Sequence, residues 1–304
     1  MFQIEFYQSD PLDLTPLNFD ITKMTLTPLR KLRIAILDMN NGVQNEGMRC
    51  IKKIVADFAT EESQDINCQI FNVRQENAVP DLSFDIYISS GGPGSPKPEG
   101  LLWEKKFFNL LDSLYKYNRN HHNRTKKHLF LICHSFQLAC VHWEIAHVCK
   151  RRKNSFGIFP IHKTRVAMRE PFFEGLQEPF WAVDSRDYQV IEPNVRLLEQ
   201  MGAKIMGMEK IRPHVPYERA IMAIRFSNEI FGTQFHPEAD AEGMLRHFQK
   251  EDKKESIIRN HGEERYHEMI EHLNDPDKIL LTENTILPNF LKIAASRILD
   301  LQPA

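Results

Sequence analysis

The sequence has no long apolar run, little net charge and no closely paired cysteines. None of its hydrophobic runs reaches the ~20 residues that a membrane-spanning helix needs, so we expect no membrane segment. Residues 1–6 lack the basic and apolar regions of a signal peptide, which predicts a cytoplasmic protein. The formal net charge of -2 gives no electrostatic reason to expect nucleic acid or a membrane surface as a partner.

The cysteines and histidines do not form a metal or disulfide pattern. The 5 cysteines are an odd number at irregular spacings and include no CxxC pair, which argues against a disulfide framework and structural zinc. His121 and His122 are followed by Asn and Arg in a stretch typical of a solvated loop. We therefore predict no metal site, and no motif calls for a cofactor.

The composition is that of a globular protein, with 304 residues of which 42% are hydrophobic and 26% charged. Apolar runs rich in branched residues predict strands at 32–38, 68–73, 84–89 and 129–133. Helical spacing predicts helices at 47–59, 101–117 and 136–149. Strands that alternate with helices favour an α/β fold with a doubly wound, mostly parallel sheet.

The pattern changes on either side of this α/β region. Short strand-like pieces predict antiparallel strands added to the sheet; they lie at 156–161, 166–168, 180–183, 190–191, 203–208 and 220–226. Residues 241–304 are polar and helical, and they predict a helical C-terminal extension. Residues 1–30 contain several prolines and no clear period, which is typical of an N-terminal extension. The predicted domain therefore spans residues 31–240.

Cys133 stands where a predicted strand ends and a predicted helix begins. A lone thiol is more often a core residue, but a helix N-terminus favours the thiolate through its dipole and its free N–H groups. The same N–H groups can stabilise a tetrahedral oxyanion. A sharp turn between strand and helix is also the geometry of a nucleophile elbow. The position of Cys133 therefore favours a nucleophile.

Two distant segments carry complementary chemistry. The turn Gly91–Pro96 could be a plain surface turn, or a rigid turn that presents a backbone N–H to a reacting carbonyl. Downstream, His236 and Glu238 are separated by Pro237, which restrains the backbone between them. A nucleophilic thiol needs a base, and the base needs a third group that fixes its orientation. The sequence thus predicts a Cys133–His236–Glu238 triad.

Together these segments resemble the class I glutamine amidotransferase family, and most of all its GMP-synthetase-type members. The resemblance covers roughly residues 30–240 and depends on SGGPGSP at 90–96, ICHSFQ at 132–137 and GTQFHPE at 232–238. It implies a flavodoxin-like α/β fold with added antiparallel strands.

The resemblance also implies an activity. Cys133 would attack the side-chain amide of glutamine and form a γ-glutamyl thioester, while His236 would pass the thiol proton to the leaving ammonia and Glu238 would orient His236. The backbone N–H groups of Gly92 and His134 would hold the oxyanion. Gln137 occupies the position of a family glutamine that lies close to the bound substrate.

The chain departs from the family pattern at two places. Leu131 and Ser135 stand where the family usually has glycine near the nucleophile. In the run that contacts glutamine in GMP-synthetase-type members, Ser185 is kept but Arg186 and Tyr188 differ. The guanidinium of Arg186 could bind a substrate carboxylate through paired hydrogen bonds, or it could be a solvated surface group.

Three functions remain open at this point. The first is a GMP-synthase-like glutaminase that supplies ammonia to a synthetase subunit in trans, since residues 241–304 are too few for a synthetase domain. The second, suggested by Arg186 and Tyr188, is a stand-alone cysteine hydrolase of other γ-glutamyl or small amide substrates. The third, suggested by Leu131 and Ser135, is a non-catalytic regulatory or assembly subunit. A homo-oligomer is compatible with each of them.

Overall fold

The computed structural model describes residues 31–62, 65–211, 218–273 and 275–300. Residues 1–30, which the sequence predicts as an N-terminal extension, lie outside the described residues. The strands of the described part are β1 (Leu32–Asp38), β2 (Ile66–Asn72), β3 (Ile86–Ser89), β4 (His128–Ile132), β5 (Ala146–Lys163), β6 (Phe180–Pro193), β7 (Lys204–Glu209), β8 (Ile221–Arg225) and β9 (Ile230–Thr233).

The helices alternate with the first strands and then follow the last one. They are α1 (Glu46–Glu61), α2 (Val73–Glu76), α3 (Leu102–Arg119), α4 (His134–His142), α5 (Val195–Met201), α6 (Ala241–Phe248), α7 (Glu251–His261), α8 (Glu263–Leu273), α9 (Leu281–Glu283) and α10 (Ile286–Leu299). Two short 3₁₀ turns, Ala167–Arg169 and Pro171–Phe173, lie between β5 and β6.

A single mixed sheet joins all the strands, in the order β2-β1-β3-β4-β9-β8-β7-β5-β6. Strands β2, β1, β3, β4 and β9 pair in parallel, and the pairs from β9 through β8, β7 and β5 to β6 are antiparallel. The prediction of an α/β fold with a parallel sheet and added antiparallel strands is confirmed.

Both faces of the parallel strands β1, β3, β4 and β9 are covered, which explains their nearly continuous apolar sequences; β2, at the edge of the sheet, is largely exposed. Residues of β1 alternate between two cores: Ile34 and Ile36 lie in the core beneath α1 and α10, and Ala35 and Leu37 lie in the core beneath α3 and α4. The carboxyl ends of β1, β3, β4 and β9 therefore meet at one edge of the sheet, where ligands bind in such folds.

The region after residue 240 is helical in its described part, as predicted, and its last helix belongs to the main core. On α10, Phe290 is fully buried and packs edge-on against Phe130 of β4, with ring centroids 5.2 Å apart. It also contacts Phe172 edge-on at 5.5 Å. The predicted domain boundaries at residues 30 and 240 stay predictions.

Two local predictions are wrong. The helix expected over 136–149 ends at His142, because the chain turns at Glu144, whose φ angle is 51°, and Cys149 lies in β5. Val166–Met168, expected as a strand-like piece, leads into a 3₁₀ turn instead. In addition, the pieces predicted at 180–183 and 190–191 belong to one strand, β6.

Candidate active site

Cys133 occupies a sharp turn between β4 and α4. Its φ and ψ angles are 47° and -99°, a region that non-glycine residues rarely adopt and that occurs mainly where surrounding structure enforces it. Two backbone hydrogen bonds do so here: the Cys133 N–H donates to Thr233 O at 2.7 Å, and the Gln137 N–H donates to Cys133 O at 3.0 Å. The strand-to-helix geometry expected for Cys133 is present.

His236 and Glu238 lie just beyond the carboxyl end of β9, the strand next to β4. The His236 N–H donates to Val183 O at 2.8 Å, which fixes the backbone of His236 to β6. Its Nδ1 lies 2.9 Å from Glu238 Oε1, and the Cys133 side chain lies near enough to the ring to raise its pKa. The structure thus brings together the three residues predicted as a triad, in the order thiol, imidazole, carboxylate.

Nearby charge and burial shift the pKa of His236 in opposite directions. Burial lowers the pKa of His236, but the Glu238 carboxylate and the Cys133 sulfur raise it more, so that its pKa stands well above its ordinary value. The imidazolium is therefore favoured. Since a carboxylate can only accept, the Nδ1 proton is donated to Glu238 and Nε2 is left for the sulfur.

The first turn of α1 approaches Glu238. A Cβ on Gly47 would lie 3.1 Å from Glu238 Oε1, so the carboxylate sits against the N-terminal end of this helix. The positive end of a helix dipole stabilises a negative charge there. Next to this contact, Arg49 of α1 donates to both oxygens of Asp240, at 2.6 and 2.7 Å, and so ties α1 to the segment that carries Glu238.

The glycine turn after β3 lies directly against the catalytic candidates. A Cβ on Gly91 would lie 2.8 Å from His236 Cε1, and a Cβ on Gly92 would lie 2.4 Å from Met39 O. Neither position has room for a side chain. These close approaches explain why two adjacent glycines stand at this turn: Gly91 lies against His236 and Cys133, and Gly92 packs against Met39. The oxyanion role of Gly92 stays a prediction.

His134 is the first residue of α4, so its backbone N–H has no carbonyl four residues earlier to bind and faces the end of the helix. Its side chain is buried, and this burial, with the nearby charge of Arg74, lowers the pKa of His134 to about 3. The ring is therefore neutral. Within the described residues, His134 Nε2 finds no hydrogen-bond partner.

Gln137 and Gln234 form a buried amide chain that leads to the sulfur. Gln137 Nε2 donates to Gln234 Oε1 at 3.0 Å and to Tyr188 O at 3.3 Å. Gln234 Nε2 in turn lies 3.6 Å from Cys133 Sγ, which makes it a donor toward the thiolate. Sequence reasoning did not select Gln234, although its place two residues before His236 could have suggested it.

The segment after Asp184 forms the wall opposite the glycine turn. Cys133 Sγ lies 3.6 Å from Ser185 O, so the backbone of Ser185 faces the thiol while its side chain is exposed. Arg186 is buried rather than solvated: Nε donates to both Asp184 oxygens at 2.9 Å, and Nη2 lies 3.3 Å from Glu209 Oε1. No residue in the described ranges accepts a hydrogen bond from its Nη1.

The two departures from glycine have structural explanations. Ser135 Oγ lies 2.7 Å from Ser89 Oγ and donates to Ser90 O at 2.6 Å, so this side chain joins α4 to the end of β3. Leu131 is fully buried and paired with Gly232 on β9, so its side chain belongs to the core beneath α3 and α4. A Cβ on Gly232 would lie 2.7 Å from Phe136 Cδ2, so this glycine makes room for the Phe136 ring.

The triad candidates, the glycine turn and the candidate binding residues Gln137, Ser185 and Arg186 border one cleft of about 1270 Å³, which continues past the thiol to Asn154, His247 and Lys250. In the described part of the chain, no three His, Cys, Asp or Glu side chains are grouped as a metal site requires. None of the helices described there has the length and apolar composition needed to span a bilayer.

Comparison with known proteins agrees with this architecture. The model of the family "Glutamine amidotransferase class-I" matches residues 51–251, a stretch that contains Cys133, His236 and Glu238. A search of the curated proteins finds no match to the chain.

Several solved structures share the fold at low sequence identity. A glutamine amidotransferase from Thermotoga maritima is 14% identical with a TM-score of 0.62, over 87% of this chain and 98% of its own. A glutamine amidotransferase from Methylobacillus flagellatus is 13% identical with a TM-score of 0.53, over 89% and 94%. The glutaminase domain of Trypanosoma brucei CTPS, solved with acivicin bound, is 12% identical with a TM-score of 0.52, over 90% and 96%.

At these identities the structural neighbours bear on the fold alone. The family model, in contrast, covers well over half of the 304 residues, and on that ground the chain belongs to the class I glutamine amidotransferase family.

Proposed function

We propose that this chain hydrolyses the side-chain amide of glutamine and releases ammonia, with Cys133 as nucleophile, His236 as general acid and base, and Glu238 as the group that orients His236. The observation that carries the proposal is the close grouping of the Cys133 thiol, the His236 ring and the Glu238 carboxylate. His236 Nδ1 lies 2.9 Å from Glu238 Oε1, and a Cβ on Gly91 would lie 2.8 Å from His236 Cε1 and 3.5 Å from Cys133 Cβ. This group lies at the carboxyl edge of the parallel strands, with the glycine turn against it.

The chemistry follows from these positions. The thiolate attacks the amide carbon, a carbon–sulfur bond forms, and the carbonyl π electrons move to the oxygen, where the N–H groups of Gly92 and His134 stabilise the charge. His236 then gives its Nε2 proton to the nitrogen, and the carbon–nitrogen bond breaks to release ammonia. Water, deprotonated by His236, hydrolyses the γ-glutamyl thioester to glutamate and returns the thiolate.

Substrate binding is assigned to the wall formed by Gln137, Ser185 and Arg186. Arg186 is charge-balanced by Asp184 and Glu209, and its Nη1 is a buried donor with no acceptor among the described residues. An unsatisfied buried donor is costly, and a substrate carboxylate would satisfy it. Arg186→Met should therefore raise KM for glutamine more than it lowers kcat, and an unchanged KM would remove Arg186 from the binding site.

The ammonia acceptor is proposed to lie on another chain. The helices α6 to α10 pack around the sheet and Phe290 completes its core, so they serve the fold rather than a second active site. A GMP-synthase-like arrangement, in which a synthetase subunit receives ammonia in trans, fits the motifs best. A free nucleophilic thiol also fits the reducing cytoplasm.

A second candidate is a stand-alone hydrolase of larger γ-glutamyl amides. The cleft of about 1270 Å³ exceeds the ~300–1000 Å³ typical of small-molecule sites, and free glutamine fills only a small part of it. A screen of γ-glutamyl amides alongside glutamine separates the two: higher kcat/KM for an extended amide favours the second candidate.

The deciding experiment measures ammonia release from glutamine by the purified chain and by Cys133→Ala. We expect release by the wild type and none above background by the variant. Cys68→Ala, which removes an exposed cysteine away from the cleft, is the matched control and should retain activity. Equal release by wild type and Cys133→Ala would overturn the mechanism.

A further inference from the structure

Arg74 lies behind the glycine turn and is bound to its backbone. It sits on the short helix α2, and its Nη1 donates to Pro93 O at 2.5 Å and to Met39 O at 3.3 Å. Gly94, whose φ angle of 98° is in the region that favours glycine, adjoins the guanidinium: a Cβ there would lie in ordinary contact with Arg74 Nη2, at 3.5 Å. Arg74 thus connects the ends of β1 and β3.

The two carbonyls that Arg74 binds bracket Gly92. Pro93 follows Gly92 directly in the chain, and Met39 O is the atom that Gly92 packs against, 2.4 Å from where its Cβ would lie. A guanidinium has several donors in a fixed plane and can hold two acceptors at a set separation. Arg74 therefore holds both the residue that follows Gly92 and the carbonyl against which Gly92 packs.

Arg74 is itself held in place. Its guanidinium carbon lies 5.1 Å from the centre of the Trp103 ring, within the range of a cation–π contact, and Trp103 is 7% exposed. The positive charge also reaches the other oxyanion candidate, since Arg74 contributes to the lowered pKa of His134 after burial. One cation therefore stands close to both Gly92 and His134.

We propose that Arg74 is a positioning residue for the oxyanion hole: it holds the Gly92 N–H toward the oxygen of the tetrahedral intermediate and places a positive charge behind it. This role depends on the proposed function, because an oxyanion hole contributes to catalysis only in an acyl-transfer reaction. Arg74 does not border the cleft, so it acts through the backbone rather than by touching substrate.

The test compares two reactions of the same sulfur. Amide hydrolysis passes through an oxyanion, whereas alkylation of Cys133 by iodoacetamide displaces iodide and forms none. Loss of a direct oxyanion donor costs ~10²–10³ in kcat, so loss of a residue that only positions one donor should cost less, about 10- to 100-fold. Arg74→Met should therefore lower kcat for ammonia release by that factor, with little change in KM and an unchanged alkylation rate.

Two further variants complete the design. Arg74→Lys keeps the charge but cannot hold two carbonyls in one plane, so its kcat should fall between those of wild type and Arg74→Met. Lys97→Met removes a cation from an exposed position in the same loop and should leave both reactions unchanged. Amide hydrogen exchange of the loop 91–96 gives a readout without turnover, and we expect faster exchange in Arg74→Met.

The outcomes separate the two proposals. Lower kcat with unchanged alkylation and faster loop exchange supports the role of Arg74. Wild-type kcat in Arg74→Met, or equal losses in turnover and alkylation, overturns it while the proposed function stands; if Arg74→Met does not fold, the same comparison is made with Arg74→Lys. Absence of ammonia release from any γ-glutamyl amide by the wild type, with Cys133 still alkylated, overturns the proposed function and the role of Arg74 with it.

Discussion

Replacing Gly91 with alanine adds one methyl group beside the His236 ring. The new Cβ would lie 2.8 Å from His236 Cε1 and 3.5 Å from Cys133 Cβ. Carbon atoms pack at about 3.5–4.0 Å, so the ring or the turn must move by roughly 0.7–1.2 Å. The ring has little freedom, because Nδ1 is held 2.9 Å from Glu238 Oε1.

The size of the effect follows from that displacement. A misplacement of ~1 Å costs on the order of 10²-fold in rate, equal to about 2.7 kcal/mol of transition-state stabilisation at 1.36 kcal/mol per tenfold. We therefore expect kcat/KM of Gly91→Ala to fall ~100-fold. The φ angle of Gly91 is not in the left-handed region, so alanine adds no backbone strain and the melting temperature should stay close to that of the wild type.

The assay is steady-state ammonia release, measured beside thermal unfolding of the same samples. Lys97→Ala, at an exposed position of the same loop, is the control and should behave as wild type in both. If folded Gly91→Ala retained the wild-type kcat/KM, the ring of His236 would not depend on this contact, and the placement of the glycine turn in the mechanism would be wrong.

Three further predictions concern charge and packing. Glu238→Gln removes the carboxylate that raises the pKa of His236. Its kcat should fall by ~10²–10⁴, and the alkaline limb of the profile of kcat/KM against pH should move to lower pH. His128 is buried and burial lowers its pKa to about 3, so the neutral ring contributes stability above pH ~6.5 that is lost as the pH falls toward 3. At pH 5 the loss of unfolding free energy amounts to about 2 kcal/mol. His128→Leu removes the titrating ring and should therefore flatten the dependence of the unfolding free energy on pH. Phe290→Ala should lower the unfolding free energy by ~3–5 kcal/mol in urea, because it empties a fully buried aromatic site.

Each of these has its own contrary result. An alkaline limb that stays in place in Glu238→Gln would mean that the carboxylate does not control the imidazolium. If the unfolding free energy of His128→Leu fell with decreasing pH as steeply as that of the wild type, His128 would not be the group responsible for the acid sensitivity. A small effect of Phe290→Ala would show that α10 is peripheral to the core.

The central parallel strands could be predicted because β1, β3, β4 and β9 are buried on both faces. Such strands appear as unbroken apolar runs, and β1 was located at its observed residues for that reason. The helix after Cys133 was predicted too long, because the apolar residues Ile145 and Val148 continue its spacing; in the structure they follow the turn at Glu144, and Val148 alternates with exposed neighbours on β5. Over so few residues, the spacing of apolar residues does not distinguish a continued helix from the start of a strand.

The triad and the glycine turn could be predicted because each is a short motif at the end of a strand. The buried environment of Arg186 could not be predicted. Its partners Asp184 and Glu209 lie on β6 and β7, and the contact of Arg186 with both of them depends on the register of the antiparallel strands. The same holds for Arg74: its contacts with Met39 and Pro93 join three segments, and nothing in the local sequence distinguishes it from a surface arginine.

In the proposed mechanism the sulfur of Cys133 carries the γ-glutamyl group. Peptide mass spectrometry tests this after incubation of the chain with a chloroketone analogue of glutamine, with glutamine itself as competitor. We expect a single adduct on the peptide that contains Cys133, formed more slowly when glutamine is present and absent from Cys133→Ala. Labelling of Cys68 or Cys149 instead, or labelling of Cys133 that glutamine does not slow, would contradict it.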